Sequence, residues 1–272
     1  MSKSSKKTHR SSRTIRMPDV RTEFDILITT RCNFGCSFCF INEMMKDPTI
    51  RQGPKDMRMS DFRKLTDKLA KAKATNICIG GGEPFLHPQA IKMVQYAAKS
   101  LGPDNVEVSS NMSFFPKDPR AAKKLWNDLH GVWFNMSIDR EHLRFDKSLP
   151  IRIKSALYAA DGSKKLNMIC VARNSYEKRH PLPRNIAHMI PAELRRRSRQ
   201  RRDLLLKNQG DLKSRYLTIL FMPNGRVLEV PVELSPLFRP MLGDWRKDPL
   251  EKFLERGVEP HYHALSSLPN IR

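Results

Sequence analysis

The feature that most constrains this chain is a regular exchange of short β-branched runs and helix-spaced runs between residues 23 and 172. Glu23 to Thr30 mixes β-branched and aromatic residues and reads as a strand. Ser60 to Ala72 places Phe62, Leu65, Leu69 and Ala72 at helical spacing, with Ser60 as the expected N-cap. Thr75 to Ile79 is a second expected strand, His87 to Ser100 a helix, and Asn105 to Ser109 a third strand. Asp118 to Leu129 (helix), Val132 to Ile138 (strand), Ile151 to Ala160 (helix) and Leu166 to Ala172 (strand) complete the series. Strands separated by helices at this spacing predict βαβ units and a mostly parallel sheet, hence an α/β fold. In such folds sites are built beyond the C-terminal ends of the strands. The chemically suggestive residues fall there: cysteines after the first strand, glycines after the second, Ser110 and Asn111 after the third, Ser137 and Asp139 after the fourth.

Three of the five cysteines lie within eight residues, as Cys32-Asn-Phe-Gly-Cys36-Ser-Phe-Cys39. An odd cysteine count, with a basic opening segment that lacks an apolar signal core, argues against a disulfide framework. A shared metal is the natural explanation. Structural zinc wants four closed ligands, and no fourth partner is obvious: a zinc knuckle would have to borrow Cys78 or His87, far along the chain. An iron–sulfur cluster is thiolate-held, and three ligands to a four-iron cluster leave one iron open. Cys78 and Cys170 each fall within an expected strand and read as inert buried thiols.

Cys32-x-x-x-Cys36-x-Phe38-Cys39 followed by Gly81-Gly82-Glu83-Pro84 resembles the radical S-adenosylmethionine (radical SAM) superfamily. The resemblance covers roughly residues 24 to 175, with a weaker echo near the C-terminus. It implies a partial (β/α)6 TIM-like barrel with a small C-terminal hairpin–helix extension. It also implies one [4Fe-4S] cluster on Cys32, Cys36 and Cys39, whose fourth iron binds S-adenosylmethionine. Gly81 and Gly82 are expected to let backbone approach the methionine ammonium, with Glu83 as an acceptor and Pro84 fixing the turn. Phe38 is expected beside the adenine. Ser110 and Asn111 are candidates for the ribose hydroxyls, although many relatives carry Asn-Gly where this chain has Asn111-Met112. Ser137 resembles the strand-four serine that contacts SAM, and Arg152 or Arg144 would clasp its carboxylate, with Arg152 preferred. The implied reaction is reductive cleavage of SAM to a 5′-deoxyadenosyl radical that abstracts hydrogen from a substrate. It needs an external one-electron donor of flavodoxin or ferredoxin type. The hydrogen-donating substrate residue and any further catalytic group are unassigned.

Three regions follow: a basic tail over 1–20, expected to be disordered; a core barrel over 21–180; and a basic C-terminal region over 181–272. In the last, Tyr216 to Met222 and Arg226 to Val230 read as strands joined by Pro223-Asn224-Gly225, with a helix starting after Leu242. That order resembles the extension of peptide-modifying radical SAM enzymes, known as SPASM or twitch. Residues 171–272 contain no cysteine, so the tail is expected to be clusterless. It favours a peptide or protein side chain as substrate.

Charge points elsewhere. The formal net charge is +22, residues 1–16 carry six Lys or Arg, and Arg195 to Arg202 form a second basic block. These could neutralise RNA phosphates, so modification of RNA or a nucleotide is the alternative. A zinc or nucleic-acid-binding module without activity is the alternative of another class. His261 and His263 read as surface residues. The longest apolar runs are too short to span a bilayer, and the expected setting is the cytoplasm.

Overall fold

The computed structural model describes residues 21–129, 131–161, 165–169, 190, 216–230, 241–254 and 256. The basic tail, the 195–202 block, Cys170, His261 and His263 lie outside them.

The alternation anticipated above is present. Strand β1 (Arg21–Thr29) is followed by two short helices, α1 (Phe40–Met44) and α2 (Pro48–Arg51), and by helix α3 (Met59–Lys71). Then come β2 (Ile77–Gly81), α4 (Ala90–Leu101), β3 (Val106–Ser110) and α5 (Pro119–Asp128). The series continues through β4 (Trp133–Ser137), α6 (Arg140–Phe145), α7 (Leu149–Ala160) and β5 (Leu166–Ile169). Strands β1 to β5 pair in chain order and in parallel, the sheet of a partial TIM-like barrel.

Strands β6 (Tyr216–Phe221) and β7 (Arg226–Val230) form the anticipated hairpin, and β8 (Met241–Asp244) pairs with β7. The hairpin adds to the barrel's own sheet. Tyr216–Phe221 runs parallel to Arg21–Ile26, so the eight strands order as β5-β4-β3-β2-β1-β6-β7-β8. Gly225 takes φ +94 at the hairpin turn, a conformation open to glycine at little steric cost. The neighbouring Asn224 reaches back to the Ile50 and Gln52 carbonyls at 3.0 and 2.8 Å. A helical segment over 250–254 follows.

Some element boundaries move for local reasons. Helix α3 starts from Arg58, not Ser60, because Met59 packs on the core. Strand β2 starts at Ile77 because Asn76 is left-handed at φ 56. Helix α4 starts at Ala90, since His87 precedes a proline and stays extended at ψ 126.

Two faces of the sheet are filled differently. Phe24, Ile26, Ile28, Ile77, Ile79, Val106, Val108, Phe134 and Met136 form one apolar core with α3, α4, α5 and α7. On the opposite face Leu27, Leu220, Met222 and Leu228 are covered by Ile41 and Met44 of α1. Among the described residues no helix is long and apolar enough to cross a membrane.

Candidate functional site

The cysteine loop leaves the end of β1 and is tied down on two sides. On the first side are the loops after β2 and β3. Gly82 N–H donates to the Thr29 carbonyl at 3.0 Å and Glu83 N–H to the Arg31 carbonyl at 2.8 Å. A Cβ on Gly82 would meet the Arg31 carbonyl and lie 2.9 Å from the Cys32 Cβ, whereas one on Gly80 would meet open space. The close approach that needs glycine at Gly82 is therefore to the cysteine loop itself. At Gly81 it is to the Thr29 carbonyl.

Glu83 is the knot of this junction. It is fully buried, and its carboxylate accepts from the Phe85 amide at 3.1 Å, the Asn111 amide at 2.7 Å and the Ser110 hydroxyl at 2.9 and 3.0 Å. Burial nevertheless pushes its pKa up to about 7, against the lowering effect of these donors. Pro84 opens a short 3-10 turn that ends at Leu86.

Ser110 and Asn111 are 3% and 5% exposed. The Ser110 hydroxyl also accepts from the Met112 amide at 3.0 Å. Asn111 Nδ2 donates to Asn33 Oδ1 at 3.0 Å and to Cys32 Sγ at 3.7 Å, and its Oδ1 accepts from Ser113 N–H at 2.9 Å. Met112 holds φ 67, the left-handed conformation that Asn-Gly would take without strain, and its side chain is fully buried. The turn thus survives the departure from Asn-Gly.

The second side is α6, which sequence reasoning had passed over. Asp139 caps it, accepting from His142 N–H at 3.0 Å and from the His142 ring Nδ1 at 2.7 Å. Both side chains are buried. The His142 ring meets Phe34 edge-on at 5.6 Å and Phe38 at 6.3 Å, so it touches the two aromatics that alternate with the cysteines. Glu141 accepts from the Ser37 amide at 3.4 Å. Phe145 stacks on Phe34 at 5.3 Å, and Arg144 lies over Phe145 at 5.1 Å.

Ser137 ends β4, half-buried, two residues before Asp139. Arg152 is spent on internal partners: Asp146 at 2.9 Å, Ser148 at 3.2 Å and the Phe115 carbonyl. It ties α7 to the loop after β3. Arg144 is 69% exposed beside Glu141.

All three loop cysteines are free thiols. Burial pushes the Cys36 thiol up to about 12, with Asp139, Cys39, Cys32 and Glu141 adding in the same direction. Cys32 is raised chiefly by burial as well. Iron would have to displace these protons on binding. Among the described residues no three His, Cys, Asp or Glu side chains converge as a single metal ion requires. The two fourth ligands considered for zinc are engaged: His87 bonds the Met57 carbonyl at 2.9 Å and the Gln89 amide at 3.0 Å, and Cys78 meets Ser109 at 3.4 Å. A cubane takes each thiolate on a different iron, so three spaced thiols on one loop fit a [4Fe-4S] cluster better than zinc.

Residues 26–147 match the family model of the radical SAM superfamily. These residues include the CxxxCxxC loop, which leaves the end of the first strand of a parallel sheet, and over this stretch the chain is similar to that superfamily. Among curated proteins it is similar to GTP 3′,8-cyclase of Chlorobaculum tepidum, 31% identical over 86 residues, 32% of this chain and 24% of that one. GTP 3′,8-cyclase of Limosilactobacillus fermentum is 29% identical over 115 residues, 42% of this chain and 32% of that one. The matched stretch thus spans less than a third of either relative.

Among solved structures, BtrN in complex with AdoMet and 2-DOIA superposes with a TM-score of 0.54 at 14% identity, over 92% of each chain. Streptococcus suis SuiB bound to S-adenosylmethionine gives 0.57 at 13% identity, over 93% of this chain and 69% of that one. At such identities the likeness is one of fold.

Proposed function

We propose that this chain is a radical SAM enzyme, with Cys32, Cys36 and Cys39 holding a [4Fe-4S] cluster that binds S-adenosylmethionine at its open iron. When bound, the pair supplies a 5′-deoxyadenosyl radical on one-electron reduction, and the radical takes hydrogen from the substrate. The observation that carries this reading is the cysteine loop itself. It holds three free thiols and is bonded through Thr29 and Arg31 to the Gly82-Glu83 loop, at adjacent ends of parallel strands.

The protein's own residues then have distinct tasks. Gly81 and Gly82 let two loops touch. Glu83, Ser110 and Asn111 brace the loop ends, and Ser110 and Asn111 keep the ribose role proposed for them only where their polar atoms turn from these ties. Ser137, half-buried at the end of β4, is the more available of the polar SAM contacts. Phe38 sits on the cysteine loop against His142, as an adenine neighbour would. The commitments of Arg152 favour the exposed Arg144 as the carboxylate partner.

The electron donor is an external flavodoxin- or ferredoxin-type protein, and the setting is the cytoplasm, whose reducing poise keeps such thiols free. The first substrate reading is a peptide or protein side chain. It is supported by the hairpin tail and by a fold neighbour, SuiB, described as bound to precursor peptide SuiA. The second is a nucleotide or RNA, supported by the GTP 3′,8-cyclase relatives and the basic blocks.

The test is anaerobic reconstitution with iron and sulfide, then dithionite and SAM, with assay of 5′-deoxyadenosine. The nucleoside should form, and Cys36→Ala should lose both cluster and nucleoside while keeping its fold. Zinc uptake without nucleoside removes the reading, and normal iron content in Cys36→Ala removes the ligand assignment. Peptide or GTP that accelerates nucleoside release separates the two substrate readings.

A further inference from the structure

Helix α6 touches the cysteine loop at the stretch between its first and third thiols. Its His142 lies against Phe34 and Phe38, and its Glu141 takes the Ser37 amide, which sits between Cys36 and Cys39. Glu141 is only 8% exposed. Amides between successive cluster ligands are the natural hydrogen-bond donors to cluster sulfurs, and such bonds together with nearby charge and solvent exposure set the potential of an iron–sulfur centre.

We propose that Glu141 lowers the reduction potential of the cluster carried by this loop, by drawing the Ser37 amide to itself and by placing a buried carboxylate beside Cys36. This rests on the radical SAM reading above. Asp139 is a second acidic group, and its charge acts on Cys36 more strongly than that of Glu141. Its carboxylate, however, is taken up by the His142 ring and amide, which fix that imidazole against Phe34 and Phe38 and leave it no tie to the Ser37 amide. Arg144 opposes the effect from outside. Its guanidinium stands 3.7 Å from Glu141 and, at 69% exposure, offsets only part of that charge. Glu141 is thus a positioning and tuning residue, not one that touches the reacting atoms.

The experiment is an EPR-monitored redox titration of the reconstituted protein without SAM, with iron and sulfide analysed first. Glu141→Gln keeps an oxygen for the Ser37 amide but removes the charge. At a fixed applied potential its ratio of reduced to oxidised cluster should rise about tenfold, an upward shift of about 59 mV for a one-electron couple. Glu141→Ala should shift at least as far. Arg144→Gln, at an exposed position, should shift the other way by a smaller amount.

Loaded clusters with one midpoint in all four proteins overturn the inference and leave the proposed function standing. A wild-type protein that assembles no cluster removes both. Should the Glu141 variants fail to load, an Arg144→Gln midpoint at or above the wild-type value overturns the inference alone.

Discussion

Glu83→Gln in the iron-free protein isolates the physics of the site's central carboxyl. The side chain has no solvent exposure, and burial raises its pKa from 4.5 to about 7. A raised acid pKa means that the folded state binds the proton more tightly than the unfolded chain does. The associated stability is fully present below pH 4.5 and is lost as pH rises through about 7. The difference between those two values corresponds to about 3 kcal/mol. Glutamine carries no proton to lose, so this slope should vanish in the variant. It has a cost of its own. One carboxyl oxygen faces the Phe85 amide and the other the Asn111 amide, so the new NH2 must confront one of these donors. An unsatisfied buried donor costs about 1–3 kcal/mol. Urea unfolding at pH 5 should therefore show the variant less stable than wild type by about that amount. By pH 8 the gap should close or reverse. The Cys32 and Cys36 thiols, both raised, do not titrate in this window. A gap that stays constant from pH 5 to pH 8 would refute the reasoning. One that widens with pH would show that the four hydrogen bonds outweigh the burial.

Two further substitutions test the loop junction. Gly82→Ala puts a methyl against the Arg31 carbonyl and Cys32 Cβ, so it should cost about 1–3 kcal/mol and reduce iron loading, whereas Gly80→Ala points into open space and should do neither; equal effects in thermal melts and iron assays would sink the steric argument. Met112→Gly releases the left-handed strain, worth about 1 kcal/mol, but empties a fully buried site, at about 2–5 kcal/mol. Its urea midpoint should fall, and a rise would show that the buried side chain contributes little.

Much of the barrel was legible because its signals are local. Ile26 and Ile28 on β1, and Ile77 and Ile79 on β2, face one core, as their alternation predicts. Pro119 after the capping Asp118 announces α5, and the Asp118 carboxylate does accept from Ala121 N–H at 2.8 Å. The cysteine spacing and the glycine run were visible as motifs. What escaped was pairing across the chain. That β6 would lie parallel to β1 depends on a sheet edge no hairpin signal encodes. Ser110 and Asn111 were recognisable as polar residues at a strand end, but polarity does not reveal that Glu83, 27 and 28 residues away, takes their donors. Helix α6 had a local sign, an Asp followed three residues later by His142. Asp139 was read as a chemically suggestive residue beyond the fourth strand and not as a cap. The tie of α6 to the cysteine loop, from the Ser37 amide to Glu141, spans over 100 residues and leaves no periodicity to find.

The two flanks of the cysteine loop are built from different physics, which separates their consequences. Toward β2 and β3 the ties are backbone bonds to Thr29 and Arg31, a glycine with no room for a methyl, and a buried carboxyl shared by Ser110 and Asn111. These determine whether the loop has its shape at all, and damage there should appear as lost iron. Toward α6 the ties are a long hydrogen bond from the Ser37 amide to Glu141 and ring contacts through His142. Such contacts are weaker, and they bring charge close to Cys36. Damage there should leave a loaded cluster whose electron affinity has changed. A carboxylate near a thiolate-held cluster makes the metal-free loop harder to deprotonate and the loaded cluster harder to reduce, because both follow from negative charge in a poorly solvated place. On this argument Glu141→Gln should ease iron uptake and raise the potential together, whereas Gly82→Ala should impair uptake without moving the potential of whatever cluster forms.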